Sequence, residues 1–526
     1  MFKKILSFLI CISIVLCCFS GCKKDDKSGK SFSFAVSSMP RFFDPQATET
    51  SAEKMIAVNT FDGLFKVSED GKLEKCCVEN YTVSDDGLIY TFNLRKDLKY
   101  YVSQSVKKFL EEENATIDDR ITAKDFVFGI KRGLSKETDS KDFEILSAIK
   151  NSEAFHRGEI DHSEVPVVAV DDYTLKIELS RRDDNFIYAL SQPISYPCNR
   201  SFFELTKGRY GLEKRYILSN GAFYVSNIND DKSVKISKNE EYNGNFKAEP
   251  LNVNFFVNSS DVEVAKKLKK DGYDCGFFVS DASIKELKKS SKKTEIYNIT
   301  KSLIFNGNNE KLQNTKLRVG LCSAIQMDTV VNIPQNNLVP IAYKLNGNAE
   351  NILYNPDFAK QNLIESFKEM EVSTLQIEIL CTEDDENMAK LMVQCWQKNI
   401  GVELNGIVKA VPEDDFKKLI NKGNYEAAIY PLTVDSPDAL GFLEMFRSDS
   451  QNNILNYKSE EYDKLYNELK ENYSNEKAIY CESFLQKNGV VLPICSKKTV
   501  FATKSDVEGI YIGTDSANVY FYKGQK

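Results

Sequence analysis

In the stretch Ile429–Phe442, IYPLTVDSPDALGF, an apolar, strand-like run delivers the chain to two carboxylates, Asp435 and Asp438, on either side of a proline. Paired acids of this kind can serve proton transfer, hold a metal, shape a turn, or meet something positively charged. Proton transfer in a hydrolase needs a group that places the attacking water, and three residues apart across a proline these two have no evident partner for it. A metal site would draw on histidine or cysteine, but His156 and His162 are the only histidines and both lie in a polar segment. Asp, Ser and Pro also open surface turns. On residue types alone the turn is the simpler account, and the contact to a cation stays open.

Other chemistry is sparse. Neither a GxGxxG loop nor a Walker sequence occurs, so no nucleotide, cofactor or metal is expected. Of thirteen cysteines, Cys11, Cys17, Cys18 and Cys22 precede the polar stretch that starts at Lys23, and the other nine show no C-x-x-C. An odd number at irregular spacing signals neither a disulfide framework nor a zinc site, so most are expected to be small buried hydrophobes.

The elements that must position the two acids read as α/β. Phe442 is preceded by a β-α-β unit: LQIEILC (Leu375–Cys381), a helix over Asn387–Asn399 ended by Gly401, and VELNGIVK. A unit of that length implies a parallel strand pair. Helix EDDFKKLIN and strand YEAAIYPL then lead to Asp435. Trp396, the only tryptophan, falls on the apolar face of the Asn387–Asn399 helix and is expected in the core. Helices are expected over about 459–473 and 476–487. Earlier, the chain is strand-rich. Ser31–Val36 alternates, short strands flank Glu69-Asp70-Gly71, and Asp86-Gly87 sits between Thr82/Val83 and Ile89–Leu94 as a hairpin turn. Thr122–Leu134 has an N-cap threonine and Phe126, Ile130 and Leu134 at helical spacing. The segment SSKKTEIY (Ser290–Tyr297) is the expected crossing between lobes.

With 526 residues, 42% hydrophobic and 28% charged, the chain is globular and long enough for two or three folded units. A net charge of −8 excludes the basic face by which proteins bind nucleic acid. Residues 1–21 read as an export signal: a positive start, then Ile5–Phe19 without a charge, shorter than the about 20 residues of a spanning helix. Phe19-Ser20-Gly21-Cys22 resembles the lipobox of bacterial lipoproteins, with Phe19 where leucine is usual. That resemblance implies acylation of Cys22 and a polar tether over 22–30, holding the protein to the outer face of the membrane through more than one acyl chain. An ordinary signal-peptidase site is the other reading.

Several stretches, in order, resemble the family 5 extracellular solute-binding proteins of bacterial ABC importers, the oligopeptide and dipeptide binders. They include FDGLF, SEDGKLE, VSDDGLIYTFNLRKDLKY, ITAKDFVFGIKR, VDDYTLKIEL, NGAFYV, KNEEYNG, LRVGLCSAIQMD, YNPDFAKQNL, WQKNIGVEL and DSPDALGFLEMFRSDSQNN, and they span nearly all of Ser31–Tyr522. The resemblance implies a two-lobed periplasmic-binding-protein type II α/β fold with an additional β-rich domain inserted in the first lobe. Residues 31–60, 190–294 and 499–526 would form lobe I, 61–189 the insertion and 295–498 lobe II. It implies that Asp435 takes the α-ammonium of a peptide, that Val36, Ser37 and Ser38 offer backbone groups to the extended ligand by strand addition, and that Asn452 lines the pocket. It implies no enzyme, a monomer, and an ABC permease as membrane partner. The sequence departs from the pattern at Ile429 and Leu432, where relatives carry an arginine and a tryptophan. Two other readings stand beside it: a peptide sensor or scaffold that does not transport, and a secreted carboxylate-based hydrolase.

Overall fold

The computed structural model describes residues 31–526 apart from 69–71, 184–185, 230–231, 271, 288–290, 402, 435–437 and 514–517. Cys22, the expected site of acylation, and the acid Asp435 therefore lie outside the described residues.

The chain opens with β1 (Ser31–Val36), whose alternate residues Phe32, Phe34 and Val36 are buried. β2 (Phe65–Val67) and β3 (Leu73–Lys75) pair antiparallel. β4 (Val78–Val83), β5 (Ile89–Leu94), β6 (Val167–Asp171) and β7 (Thr174–Glu178) make a separate antiparallel sheet in the order β4-β5-β7-β6. Gly87, at φ +74°, makes the turn between β4 and β5 that a side-chain-bearing residue would strain. Between β5 and β6 runs the Ala123–Leu134 helix, started by Thr122 and Asp125 in a reciprocal capping box. It buries Phe126, Ile130 and Leu134 with Phe92, Leu175 and Ile177 in one core.

Next come β8 (Phe223–Asn229), β9 (Ser233–Lys238), β10 (Asn252–Val257), β11 (Cys275–Phe278), β12 (Lys292–Phe305), β13 (Leu375–Thr382), β14 (Leu404–Val411), β15 (Ala427–Leu432) and β16 (Val491–Thr503). With β1 they form a ten-stranded sheet, β14-β13-β15-β12-β16-β11-β1-β10-β9-β8. β13 and β14 are parallel across the Glu386–Asn399 helix, as the β-α-β reading requires.

This sheet is two half-sheets joined through one ribbon. β12 and β16 run antiparallel from Lys292↔Thr503 to Ile304↔Val491, with register shifts between Ile296 and Ile299 and between Lys301 and Ser302. One end of the ribbon pairs with β11 and the other with β15. On the β11 side, Phe32, Phe34, Phe255, Phe501 and Phe521 share a core. On the β15 side both faces are covered, Leu303, Ile377, Trp396 and Ile429 on one and Ile304, Leu380, Leu432 and Phe442 on the other. Such two-sided cover explains the nearly continuous apolar runs of β13 and β15. Trp396 is fully buried and donates Nε1–H to the Leu321 carbonyl at 2.9 Å. The nine cysteines of the described residues are free thiols, eight of them buried. Among the described residues no helix is long and apolar enough to cross a membrane.

Candidate functional site

The pairing registers fix where the strand ends point. β11 runs from Cys275↔Thr503 to Phe278↔Val500, and β1 is parallel to it at Phe34↔Cys275. β15 runs from Ala427↔Phe305 to Leu432↔Thr300, and Thr300 pairs with Ser496. The carboxyl ends of β1 and β11 on one side, and of β15 on the other, therefore run toward the middle of the ribbon from opposite ends. That middle, Ile296–Thr300 against Ser496–Thr499, is polar. Thr499 Oγ1–H donates to Asn298 Oδ1 at 2.9 Å, Lys498 meets Glu295 at 2.5 Å, Lys497 meets Asp281 at 3.3 Å, and Gln335 Nε2–H reaches Thr300 Oγ1 at 3.1 Å.

At the end of β1, Val36 is buried and its carbonyl accepts the Asn258 N–H at 2.8 Å, while Ser37 and Ser38 are exposed. Among the described residues nothing hydrogen-bonds Ser37 or Ser38. Past Phe34 the described pairing of β1 continues on the β10 side only. The exit of β1 is held by Glu53, 2% exposed, whose carboxylate accepts the N–H groups of Arg41, Phe42, Glu49 and Thr50 at 2.9–3.1 Å. Glu53 also completes the capping box with Thr50 that starts the Ser51–Thr60 helix. The spacing Thr50-x-x-Glu53 ahead of an apolar run is a capping-box signature that sequence reasoning could have used and did not.

β15 is likewise open on one side. Beyond Ala428 its described pairing is with β12 alone. Ile429 and Leu432 are fully buried and pack into the cores on opposite faces of the sheet. The two departures from the family pattern thus sit in cores, and the residues left at the surface of this strand end are Pro431 and Thr433, with Tyr430 and Val434 half-buried. Tyr343 O–H donates to the Val434 carbonyl at 2.8 Å, which fixes the chain immediately before Asp435. Asp435, Ser436 and Pro437 lie outside the described residues. Asp438 N-caps the Ala439–Glu444 helix and accepts the Gly441 N–H at 2.7 Å. Its carboxylate is engaged in holding the helix start.

The loop that carries Tyr343 is gripped by the Asn475–Lys487 helix. Glu482, fully buried, accepts the Leu338 N–H at 2.5 Å and the Val339 N–H at 3.3 Å, and Gln486 donates to Asn336 O and Glu482 Oε1. Burial pushes the Glu482 carboxyl up to about 7 despite those three donors. Sequence reasoning missed this residue, because Glu482 and the loop are far apart in the chain.

Asn452 is exposed, in the turn after the Ala439–Glu444 helix. Its N–H donates to Ser450 Oγ at 3.1 Å and its carbonyl accepts the Ile454 N–H at 2.8 Å. The neighbouring Gln451 accepts a hydrogen bond from Lys141 at 2.6 Å, which joins this turn to the segment before Phe143. No described hydrogen bond links Val36, Ser37 or Ser38 to Asn452, which stands in a turn outside the sheet. A broad open depression lies elsewhere, on the β4-β5-β7-β6 sheet, lined by Glu79, Asn80, Asn93, Lys96, Asp171 and Tyr173. No group of three or more potential metal ligands occurs among the described residues.

Residues 72–454 match the family described as bacterial extracellular solute-binding proteins, family 5 Middle. The chain is 25% identical over 498 residues to the oligopeptide-binding protein OppA of Bacillus subtilis (strain 168), with 88% of each chain covered. It is 27% identical over 271 residues to the oligopeptide-binding protein AmiA of Streptococcus pneumoniae, which covers 50% of this chain and 39% of AmiA. The solved structure of Listeria monocytogenes OppA bound to peptide shares its fold with a TM-score of 0.74 at 22% identity, over 94% of this chain and 99% of that one. The fold is thus the two-lobed α/β type II arrangement.

Proposed function

Because the chain belongs to family 5 of the bacterial extracellular solute-binding proteins, we propose that it captures peptides in the cleft over the β12/β16 ribbon and hands them to an ABC permease. In this reading residues 31–60, 190–294 and 499–526 move as lobe I, carrying the insertion 61–189, and residues 295–498 move as lobe II. A ligand that touches both lobes only when they are shut stabilises the shut state. The single observation that supports this best is the convergence of the strand ends: β1 from one lobe and β15 from the other run toward the same polar ribbon, each with an unpaired side.

Asp435, three residues past the last residue of β15 in the sequence, receives the peptide's α-ammonium. A zwitterionic peptide always brings that cation, and a charge-assisted hydrogen bond is roughly twice as strong as a neutral one. Val36, Ser37 and Ser38 pair with the peptide backbone, and so read no side chain. Asn452 adds a polar contact from the lobe II turn. Cys22 carries the lipid that keeps the monomer on the outer face of the membrane, and no bond is made or broken in the bound molecule.

Calorimetry tests this reading with a random peptide mixture, then with one defined peptide recovered from it. Asp435→Ala should weaken binding about 10- to 100-fold, the equivalent of one charge-assisted hydrogen bond, and N-acetylation of the peptide should cost the wild type a similar factor. Equal affinity for free and acetylated peptide would remove Asp435 from the role; absence of any peptide binding would remove the function.

A further inference from the structure

Besides the ribbon, side-chain contacts join the lobe II core to the insertion. Lys470, next to last in the Glu460–Glu471 helix, places Nζ 2.7 Å from Glu144 Oε2 and 3.0 Å from Glu153 Oε1. Its helix packs Tyr466 and Leu469 into the core that contains Leu432 and Phe442. The two acids stand in the Phe143–Leu146 turn and the Ser152–His156 helix, and Phe143 and Leu146 belong to the core of the insertion. Lys141 and Gln451 make a second bond between the same two bodies.

The insertion itself is fastened to lobe I. Asp142, two residues from Glu144, pairs with Lys54 of the Ser51–Thr60 helix at 2.7 Å, and Arg132 pairs with Asp44 at 2.5 Å. In both pairs every side chain is at most 12% exposed. Removing one partner there would strand a buried charge. Around Lys470 the balance differs: the lysine side chain is 9% exposed, but Glu144 and Glu153 are 41% and 50% exposed. Those acids can return to water at little cost, as exposed ion pairs do. Burial would raise the Glu153 carboxyl, yet the Lys470 charge and hydrogen bond hold it below its usual range.

We propose that Lys470, Glu144 and Glu153 form a latch that holds the lobes together, so that ligand affinity is set in part by residues that touch no ligand. One cation facing two acids makes each acid partly redundant and the lysine indispensable. The latch rests on the reading of the protein as a receptor that closes on its ligand. Because ligand binds the shut form, a fall in the unliganded shut fraction lowers affinity by the same factor.

The test places one spin label in each lobe and measures their separation by pulsed electron resonance in the full chain without ligand. Lys470→Met keeps the apolar stem and removes the charge; it should shift the distribution toward long separations. Glu144→Gln with Glu153→Gln should do the same, either single change less, and Lys470→Arg should restore the wild-type distribution. Peptide affinity of Lys470→Met should fall about three- to tenfold with an unchanged melting temperature. Identical distance distributions in wild type and Lys470→Met would overturn the latch, as would a drop in melting temperature without a change in distances. If no peptide binds the wild type, the receptor reading fails, while the distance measurement still decides the latch.

Discussion

At the scale of single residues, the structure buries charge where it needs a fixed shape. Lys66, 1% exposed, meets Asp62 Oδ1 at 2.5 Å while Tyr242 donates its hydroxyl to Asp62 Oδ2. Glu53 gathers four backbone N–H groups and Glu482 gathers two. Glu482 has a consequence in solution. Its carboxyl is raised from 4.5 to about 7, so the folded protein holds that proton more firmly than the unfolded chain. The stability it contributes is complete below about pH 4.5 and is lost as pH rises through about 7, on the order of 3 kcal/mol in all. Urea unfolding of Glu482→Gln across that window should show a flatter pH profile than the wild type; parallel profiles would contradict the assignment. These buried acids divide by legibility. Glu53 stands three residues after its cap partner, so its role was open to local spacing even though it went unread. Asp62 was visible only as part of FDGLF, because the hydroxyl that shares its charge is at Tyr242, 180 positions away.

At the scale of elements, the Ala123–Leu134 helix was readable from Thr122 to its last leucine because cap and period are local properties. What it packs against was not. A Cβ at Gly129 would stand 2.1 Å from the Tyr196 carbonyl oxygen, and one at Gly133 would stand 2.5 Å from the Ile194 side chain. Gly→Ala inside a helix ordinarily stabilises by about 1 kcal/mol. Here the backbone oxygen leaves no room, so Gly129→Ala should instead destabilise, by about 1–3 kcal/mol as overpacking does. Thermal unfolding settles the sign. The expected crossing between lobes shows the same limit. SSKKTEIY reads as a polar link, but from Lys292 onward it is a strand, because its partner β16 arrives about two hundred residues later to pair along it. Likewise Ile429 and Leu432 look like losses from a pocket when aligned by motif, yet the alternation of β15 turns each into a core.

At the scale of the whole molecule, the two halves of the sheet differ in how the chain supplies them. The β15 half draws its cores from Leu303 to Ile494 in one continuous segment. The β11 half needs both ends: Phe32 and Phe34 from β1 lie against Phe255, Phe501, Phe521 and Tyr522, with Phe34 edge-on to Phe521 at 5.9 Å between ring centres. Deleting residues 499–526 should therefore leave the segment containing Trp396 folded while the first half loses protection. Hydrogen exchange would show fast amides in β1 and β10 beside slow ones in β13. Uniform loss of protection would mean the halves fold as one. Asp435 belongs to the continuous half and Val36–Ser38 to the other, so the two sides of the proposed cleft have separate origins in the chain.

That arrangement orders events at birth. A polypeptide that emerges amino end first has β1 in hand early, meets β10 and β11 only about halfway through synthesis, and receives the Phe501–Tyr522 wall of that core after nearly everything else. A chain cut off before Phe501 would carry one finished half of the sheet beside another whose aromatic core lacks its last wall.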